Sequence, residues 1–251
     1  MMKELVFKFL NYNILFLSGD PMVLDRWLWL KDKIKKIDKK SNFLDVGCGA
    51  GPFTIALNKK KFDCLGIDID EHKVNKGRER AKIFNLDKNK ILFKNIKDII
   101  AEKNIYFDCL ITFECIEHIL DDKNFTDDCS KVLKKNGKIF ITTPYKYFRP
   151  ITSHDLEISL TEDGGHVRVG YDKKMLLDIL EKNFKDIDFS YCSGFLSQKL
   201  TFIYRKLFKI NKFLAILVVL LIRPFQLILD SLITKLLKYQ NYTICVIATK
   251  K

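Results

Sequence analysis

Phe43-Leu44-Asp45-Val46-Gly47-Cys48-Gly49-Ala50-Gly51-Pro52-Phe53-Thr54 reads as a buried strand, a glycine turn and the opening of a helix. Residues 43 to 46 are apolar apart from Asp45. Gly47, Gly49 and Gly51 permit a sharp turn, positive φ and close approach of backbone to a ligand. Pro52 suits the first turn of a helix, where its missing N–H leaves nothing unsatisfied. The spacing is G-x-G-x-G, and Pro52 stands where a dinucleotide fingerprint wants its third glycine. Asp45, two positions ahead of the first glycine, would repel a diphosphate and attract an ammonium or sulfonium group. The turn therefore points away from a dinucleotide and toward a cationic nucleoside.

Outward from that turn, strands and helices alternate. The helix that it opens runs to about Lys60, and Phe62 to Asp68 is a second strand ending in an acid. A polar helix over about 71 to 85 follows, then a third strand from Ile91 to Ile96 and a fourth from Phe107 to Thr112. Asn124 to Lys134 reads as a helix, and Asn136-Gly137 as the turn into a fifth strand, Lys138 to Thr142. An irregular stretch over 145 to 170 leads to a helix, Lys173 to Lys182. Ile187 to Cys192 and Tyr242 to Thr249 complete seven strands. Repeated β-α-β units of this length predict an α/β fold: a doubly wound, Rossmann-like, parallel sheet with helices on both faces. Ligands of such sheets bind beyond the carboxyl ends of the strands. The expected organisation is one domain, with a helical segment over 1–40, a core over 43–192, an apolar helical insertion over 195–240 and a last strand over 242–250. Trp27 and Trp29, on an amphipathic helix, read either as packing or as a lid near the ligand.

D-V-G-C-G-x-G at 45–51 resembles motif I of the class I S-adenosylmethionine (SAM) dependent methyltransferases. Further residues carry the same likeness, which covers 43 to about 180. Asp68 closes the second strand in G-I-D, and the resemblance implies that it takes both ribose hydroxyls, with Ile69 next to it. The backbone of Gly47, Cys48, Gly49 and Gly51 would lie against the methionine moiety, and Asp45 would face its ammonium. Asn95-Ile96 follows the third strand, where family members place a polar residue on the adenine amino group and an apolar one over the ring; Asp98 is the alternative polar partner. Phe113 ends the fourth strand at the same site.

Glu114-Cys115-Ile116-Glu117-His118 is E-x-x-E-H, and Gly165-His166-Val167-Arg168-Val169-Gly170-Tyr171 resembles a GHVR-x-GY segment of many members. In some quinone O-methyltransferases and some RNA 3′-terminal 2′-O-methyltransferases, an E-x-x-E-H element helps bind a divalent cation, joined in the RNA enzymes by a later His. Three readings stay open here. Glu114, Glu117, His118 and His166 hold a divalent metal that lowers the pKa of the attacked oxygen. His118 or His166 is the general base for an acceptor hydroxyl. Or the pair only stabilises the loop over SAM. Tyr145, Tyr147, Phe148 and Arg149, in the segment through His154, are expected to wall the acceptor pocket.

The chain has 251 residues and a formal net charge of +13, with lysines spread through helices and loops. Such a surface suits membrane headgroups or nucleic acid, and charge alone does not separate them. The seven cysteines form no C-x-x-C, and several lie in strand-like runs, which favours a reducing, cytoplasmic setting. No cleavable leader is read at the N-terminus. Phe213 to Ile222 is an unbroken apolar run followed by Arg223-Pro224 and a second apolar stretch to Leu237. Ten residues fall short of a bilayer span of about 20, so 205–238 is expected to be two helices broken at Pro224. That insertion could seat on a membrane at the inner face, cap the site, or dimerise. The expected reaction is transfer of the SAM methyl group to an oxygen of a small-molecule, quinone-like, lipid-linked or glycan-precursor acceptor. RNA methylation and a non-catalytic SAM-binding protein are the alternatives.

Overall fold

The structure, a computed structural model, describes residues 11–17, 19–151 and 156–251. The expected helical segment is therefore seen from Asn11 onward, and residues 1–10 and His154 lie outside the described residues. Seven strands, β1 (Asn42–Val46), β2 (Asp63–Asp68), β3 (Ile91–Phe93), β4 (Phe107–Phe113), β5 (Leu133–Pro144), β6 (Phe184–Cys192) and β7 (Thr243–Lys250), form one sheet. Their order is β3-β2-β1-β4-β5-β7-β6. The helices are α1 (Ile14–Leu17), α2 (Pro21–Lys33), α3 (Pro52–Lys59), α4 (Glu71–Ile83), α5 (Ile96–Ala101), α6 (Asp122–Val132), α7 (Lys173–Leu180), α8 (Phe195–Ile210) and α9 (Lys212–Leu236).

Alternation along each strand splits the apolar residues into two layers. Leu44 and Val46, Ile139 and Ile141, and Ile244 and Val246 face α5, α6 and α7. Phe43, Phe140 and Cys245, on the same strands, face α1, α2 and α3. Trp27 stacks on Phe16 with ring centres 4.9 Å apart. Trp29 donates its indole N–H to Ser190 Oγ at 2.9 Å. Both tryptophans are packing residues. Helix starts are written in short polar side chains: Asp20, Asp70, Asp121 and Asp172 each accept a backbone N–H of the first turn that they cap.

Two expectations need correction. The sheet is not all parallel: β7 runs antiparallel to both β5 and β6. The cause is the connection. Asp230, near the end of α9, accepts the N–H groups of Gly194 and Leu196 at the start of α8 (2.9 and 2.6 Å). The two helices therefore go out and come back, and β7 begins opposite the end of β6, with Cys192 paired to Thr243. The helical break also falls elsewhere. α9 runs continuously through Pro224, and the reversal is at Asn211, whose side chain caps α9 by accepting the N–H groups of Phe213 and Leu214 (2.9 and 3.1 Å). A proline removes one internal donor and strains one turn. Here the flanking residues hold the turn: Arg223 donates to the carbonyls of Pro21 and Phe16 (3.1 and 3.2 Å), and Gln226 to Asp25 and Ser197. α9 is long and apolar enough to cross a membrane by length and composition, with mean hydropathy 2.2.

Gly51 adopts φ +70°, and a Cβ there would run into the side chain of Ile91. Gly51→Ala is expected to cost about 2–4 kcal/mol from left-handed backbone strain plus overlap. Calorimetric melting should show Tm lowered by roughly 5–15 °C.

Candidate active site

The carboxyl ends of β1, β2 and β4 meet at the glycine turn. Gly47, Gly49 and Gly51 all have left-handed φ, +73°, +55° and +70°. A Cβ on Gly47 would lie 2.6 Å from Cys115 Sγ, so the turn abuts the segment after β4. A Cβ on Gly49 would meet nothing within 4 Å. The turn is thus packed on one flank and open on the other, which is the shape of a backbone cradle.

Asp68 sits half-buried at the end of β2. Its Oδ2 accepts the Gly49 N–H at 2.7 Å and its Oδ1 accepts the Asp70 N–H at 2.8 Å. Those two bonds fix the carboxylate at the lip of the turn while leaving lone pairs for a diol. Asp45 is buried in β1 and accepts Thr54 Oγ1–H at 2.6 Å. Burial, opposed by the Thr54 bond, pushes its pKa up to about 7, and nearby Asp68 pushes the same way. Arg80 braces the turn from α4, donating to the Ala50 carbonyl at 3.2 Å. Both acids would be relieved by a cation.

The other expected cofactor residues take more local roles. The Asn95 side chain accepts the Asp98 N–H (3.0 Å) and the Asp98 side chain accepts the Asn95 N–H (2.8 Å), a reciprocal cap on α5. Ile96 is buried in the core beside that cap. Phe113 packs edge-on against Phe53, 4.8 Å between ring centres. Cys48 is buried, and Ile69 is exposed beside Asp68.

Beyond β4 the chain brings Glu114, Glu117 and His118 to one cavity with His166. The cavity holds about 560 Å³ and is walled by α2 (Met22, Arg26), by these four residues, by α8 (Tyr204, Arg205, Phe208, Lys209) and by Tyr242. The GHVR segment is tied to E-x-x-E-H by backbone and side-chain bonds. Val167 N–H donates to the Glu117 carbonyl at 2.9 Å. Arg168 donates to the carbonyls of Ile116 and Leu120 (3.1 and 3.0 Å) and pairs with Asp122 at 3.0 Å. His118 Nδ1 lies 2.9 Å from the Gly165 carbonyl. A carbonyl can only accept, so Nδ1 carries a proton, and in the neutral ring the lone pair is on Nε2.

Glu117 is fully buried. Its Oε2 accepts the Thr143 hydroxyl at 3.0 Å, and its Oε1 has no hydrogen-bond partner. Burial and the neighbouring Glu114 carboxylate push its pKa well above the usual range. Ligand atoms of Glu117, His118 and His166 all lie within 4.8 Å of one another. Glu114 lines the same cavity but is not one of this close-set trio; it pairs with Arg26 at 2.9 Å, on a backbone held at φ +49°. Between Asp25 and Trp27 on an amphipathic helix, Arg26 belongs to no motif that would mark it as a site residue. None of Tyr145, Tyr147, Phe148 and Arg149 is among the described residues that wall the cavity. Phe148 packs on Tyr242 and Arg149 lies over Tyr239; α2 and α8 supply that wall instead.

A family profile described as "Methyltransferase domain" matches residues 37–183. The human mitochondrial ubiquinone biosynthesis O-methyltransferase is 33% identical over 150 residues, covering 56% of this chain and 40% of that protein. The corresponding protein of Leptothrix cholodnii is 24% identical over 144 residues, covering 55% of this chain and 60% of that one. The match thus spans about half the length of these relatives. Among solved structures, a SAM-dependent methyltransferase from Archaeoglobus fulgidus superposes with TM-score 0.57 at 16% identity, covering 96% of this chain and 99% of that one. The Haemonchus contortus phosphoethanolamine N-methyltransferase 2, solved with SAM, gives 0.57 at 15% identity over 89% and 51% of the two chains. With the profile matched over more than half its length, this chain belongs to the methyltransferase domain family, of the SAM-dependent class.

Proposed function

We propose that the chain transfers the methyl group of SAM to an oxygen nucleophile held in the cavity beneath α8. The acceptor is a small molecule of the quinone-like, lipid-linked or glycan-precursor class, met at the inner face of a membrane through 205–238. The observation that carries this reading is the junction at the carboxyl ends of the strands. Gly47 of the turn abuts Cys115, and the neighbours of Cys115 in the chain, Glu114 and Glu117, line the cavity together with His118 and His166.

Asp68 takes the ribose hydroxyls and Asp45 the ammonium, while the turn lies along the methionine chain. Asn95 and Ile96 border the adenine, Asn95 through what its cap leaves free. Methyl transfer then depends mainly on alignment of the acceptor oxygen with the methyl–sulfur bond. The acceptor oxygen forms the new C–O bond, the S–C electron pair returns to sulfur, and the hydroxyl proton must leave. The polar trio stands where that proton is released.

The trio fits a divalent cation. Glu117 Oε1 is a buried acceptor without a donor, 4.0 Å from His118 Nε2, whose lone pair is fixed by the Gly165 carbonyl. Held by Glu117, His118 and His166, such a cation would bind the acceptor oxygen and lower the pKa of its proton. Titration with Mn²⁺, read by its paramagnetic resonance signal, tests this without an acceptor. The native chain should bind one ion and Glu117→Gln should lose it. If the native chain binds none, and transfer survives chelator, His118 Nε2 is the base instead.

Asp45 makes SAM binding pH-dependent. Its carboxyl titrates at about 7 in the free chain and must be ionised to attract an ammonium. Below that pH a proton has to be released on binding. Affinity should therefore fall about tenfold per pH unit between 7 and 5, and level off above 7. Calorimetry across that range should show the slope, and Asp45→Asn should flatten it.

A further inference from the structure

The outward face of α9 takes no part in the core or in the cavity. Phe213, Leu217, Leu221, Phe225, Ile228, Leu232 and Leu236 recur every three or four residues, which places them on one stripe of the helix. All are exposed, Phe213 and Ile228 by 76%. The opposite stripe, Ala215, Val219, Arg223, Gln226 and Thr234, is buried against the rest of the chain. So long an exposed apolar stripe marks an interaction surface.

Charge says what kind. From Phe195 to Tyr239 there are eight lysines and arginines and one acid, Asp230. The acid is spent inside the hairpin on the start of α8. Lys206, Lys209, Lys212, Lys235 and Lys238 are exposed beside the apolar stripe. An apolar face bordered by cations is complementary to an anionic lipid surface. A second copy of this face would bring like charges together. A transmembrane placement of α9 would break the bonds from Arg223 to the carbonyls of Phe16 and Pro21 that pin its midpoint to the domain.

The same hairpin walls the acceptor cavity. Tyr204, Arg205, Phe208 and Lys209 of α8 line it. Phe208 is also partly exposed, and it precedes by two and five residues Ile210 and Phe213, the two most exposed apolar side chains around the hairpin turn. Cavity rim and apolar surface are continuous there.

We infer that α9 lies in the plane of an anionic bilayer surface and that the cavity opens onto that surface beside Phe208, so that the acceptor is a lipid entering sideways from the bilayer. The entry route rests on the reading of the cavity as the acceptor site; the docking does not. In the bound state the apolar body of the acceptor stays among the lipid chains near Phe208 and Phe213. Its hydroxyl-bearing head passes Tyr204 and Met22 to reach the trio.

The test uses the full chain and vesicles of phosphatidylcholine mixed with phosphatidylglycerol. The native chain should float with them and bind vesicles of phosphatidylcholine alone roughly tenfold more weakly. The triple variant Leu221→Glu, Phe225→Glu, Ile228→Glu should lose flotation by about tenfold or more while keeping the native melting profile and SAM binding. Phe208→Trp and Phe213→Trp should each be quenched by brominated lipid, and Tyr106→Trp, just before the amino end of β4 and so away from the carboxyl ends of the strands, should not. Absence of flotation overturns docking, as does a concentration-dependent dimer that the triple variant abolishes and vesicles do not dissolve. Retention in the membrane after carbonate extraction overturns the in-plane placement. Quenching at 213 without quenching at 208 overturns the entry route. SAM binding, measured without vesicles, separates these failures from a failure of the methyl-transfer reading.

Discussion

Asp68→Ala is expected to weaken SAM binding by about 100- to 1000-fold. The carboxylate has two tasks, and alanine abolishes both. It would receive two hydroxyls of the ribose, each a charge-assisted bond of roughly 1.5–3 kcal/mol. It also ties the Gly49 N–H and the Asp70 N–H to the end of β2 (2.7 and 2.8 Å), so the turn loses its tether as well. Asp68→Asn separates the two tasks. Its amide oxygen can still accept one N–H, but it replaces a charged acceptor by a neutral one and turns a donor toward the other. It should lose about tenfold to 100-fold. Calorimetric titration of SAM into each variant measures this, and a native-like affinity for Asp68→Ala would remove Asp68 from the cofactor site.

His118→Ala is expected to lower kcat by about 10²- to 10⁴-fold while leaving SAM affinity within threefold of native. The imidazole is pinned by the Gly165 carbonyl, with its free lone pair toward Glu117. No bond joins it to the glycine turn, so donor binding has no reason to change. Its loss should also abolish Mn²⁺ binding. A prenylated phenol supplied in detergent, as a trial acceptor of the class proposed above, is the assay in which kcat is read. A merely structural role would instead appear as a lowered Tm with kcat largely kept. His166→Ala should behave alike, since the two rings lie 4.7 Å apart between centres.

Most of the fold was legible because strand burial and glycine chemistry are local signals. The turn at 47–51 and the acid closing β2 follow from residues within one β-α-β unit. Three features were not legible, each because it depends on contacts distant in sequence. The reversal of β7 follows from how Asp230 closes the hairpin onto Gly194, a bond across 36 residues. The uninterrupted α9 depends on Arg223 and Gln226 finding partners in α1 and α2, which a proline rule does not see. The cavity wall came from α2 and α8 because those helices pack together over the carboxyl edge of the sheet, where Thr201 and Arg205 reach Asp20. At the site itself, the pairing of E-x-x-E-H with GHVR was visible as two motifs. Their meeting is built by Arg168, whose bonds to the 116–122 segment no spacing announces.

The central claim is that the glycine turn, Asp45 and Asp68 hold SAM. Calorimetric titration of SAM into the native chain at pH 8, where Asp45 is ionised, tests it most directly. The structure leads us to expect a single site with affinity in the micromolar range typical of enzyme ligands, together with a rise in Tm. Neither heat of binding nor a shift in Tm at millimolar SAM would contradict it.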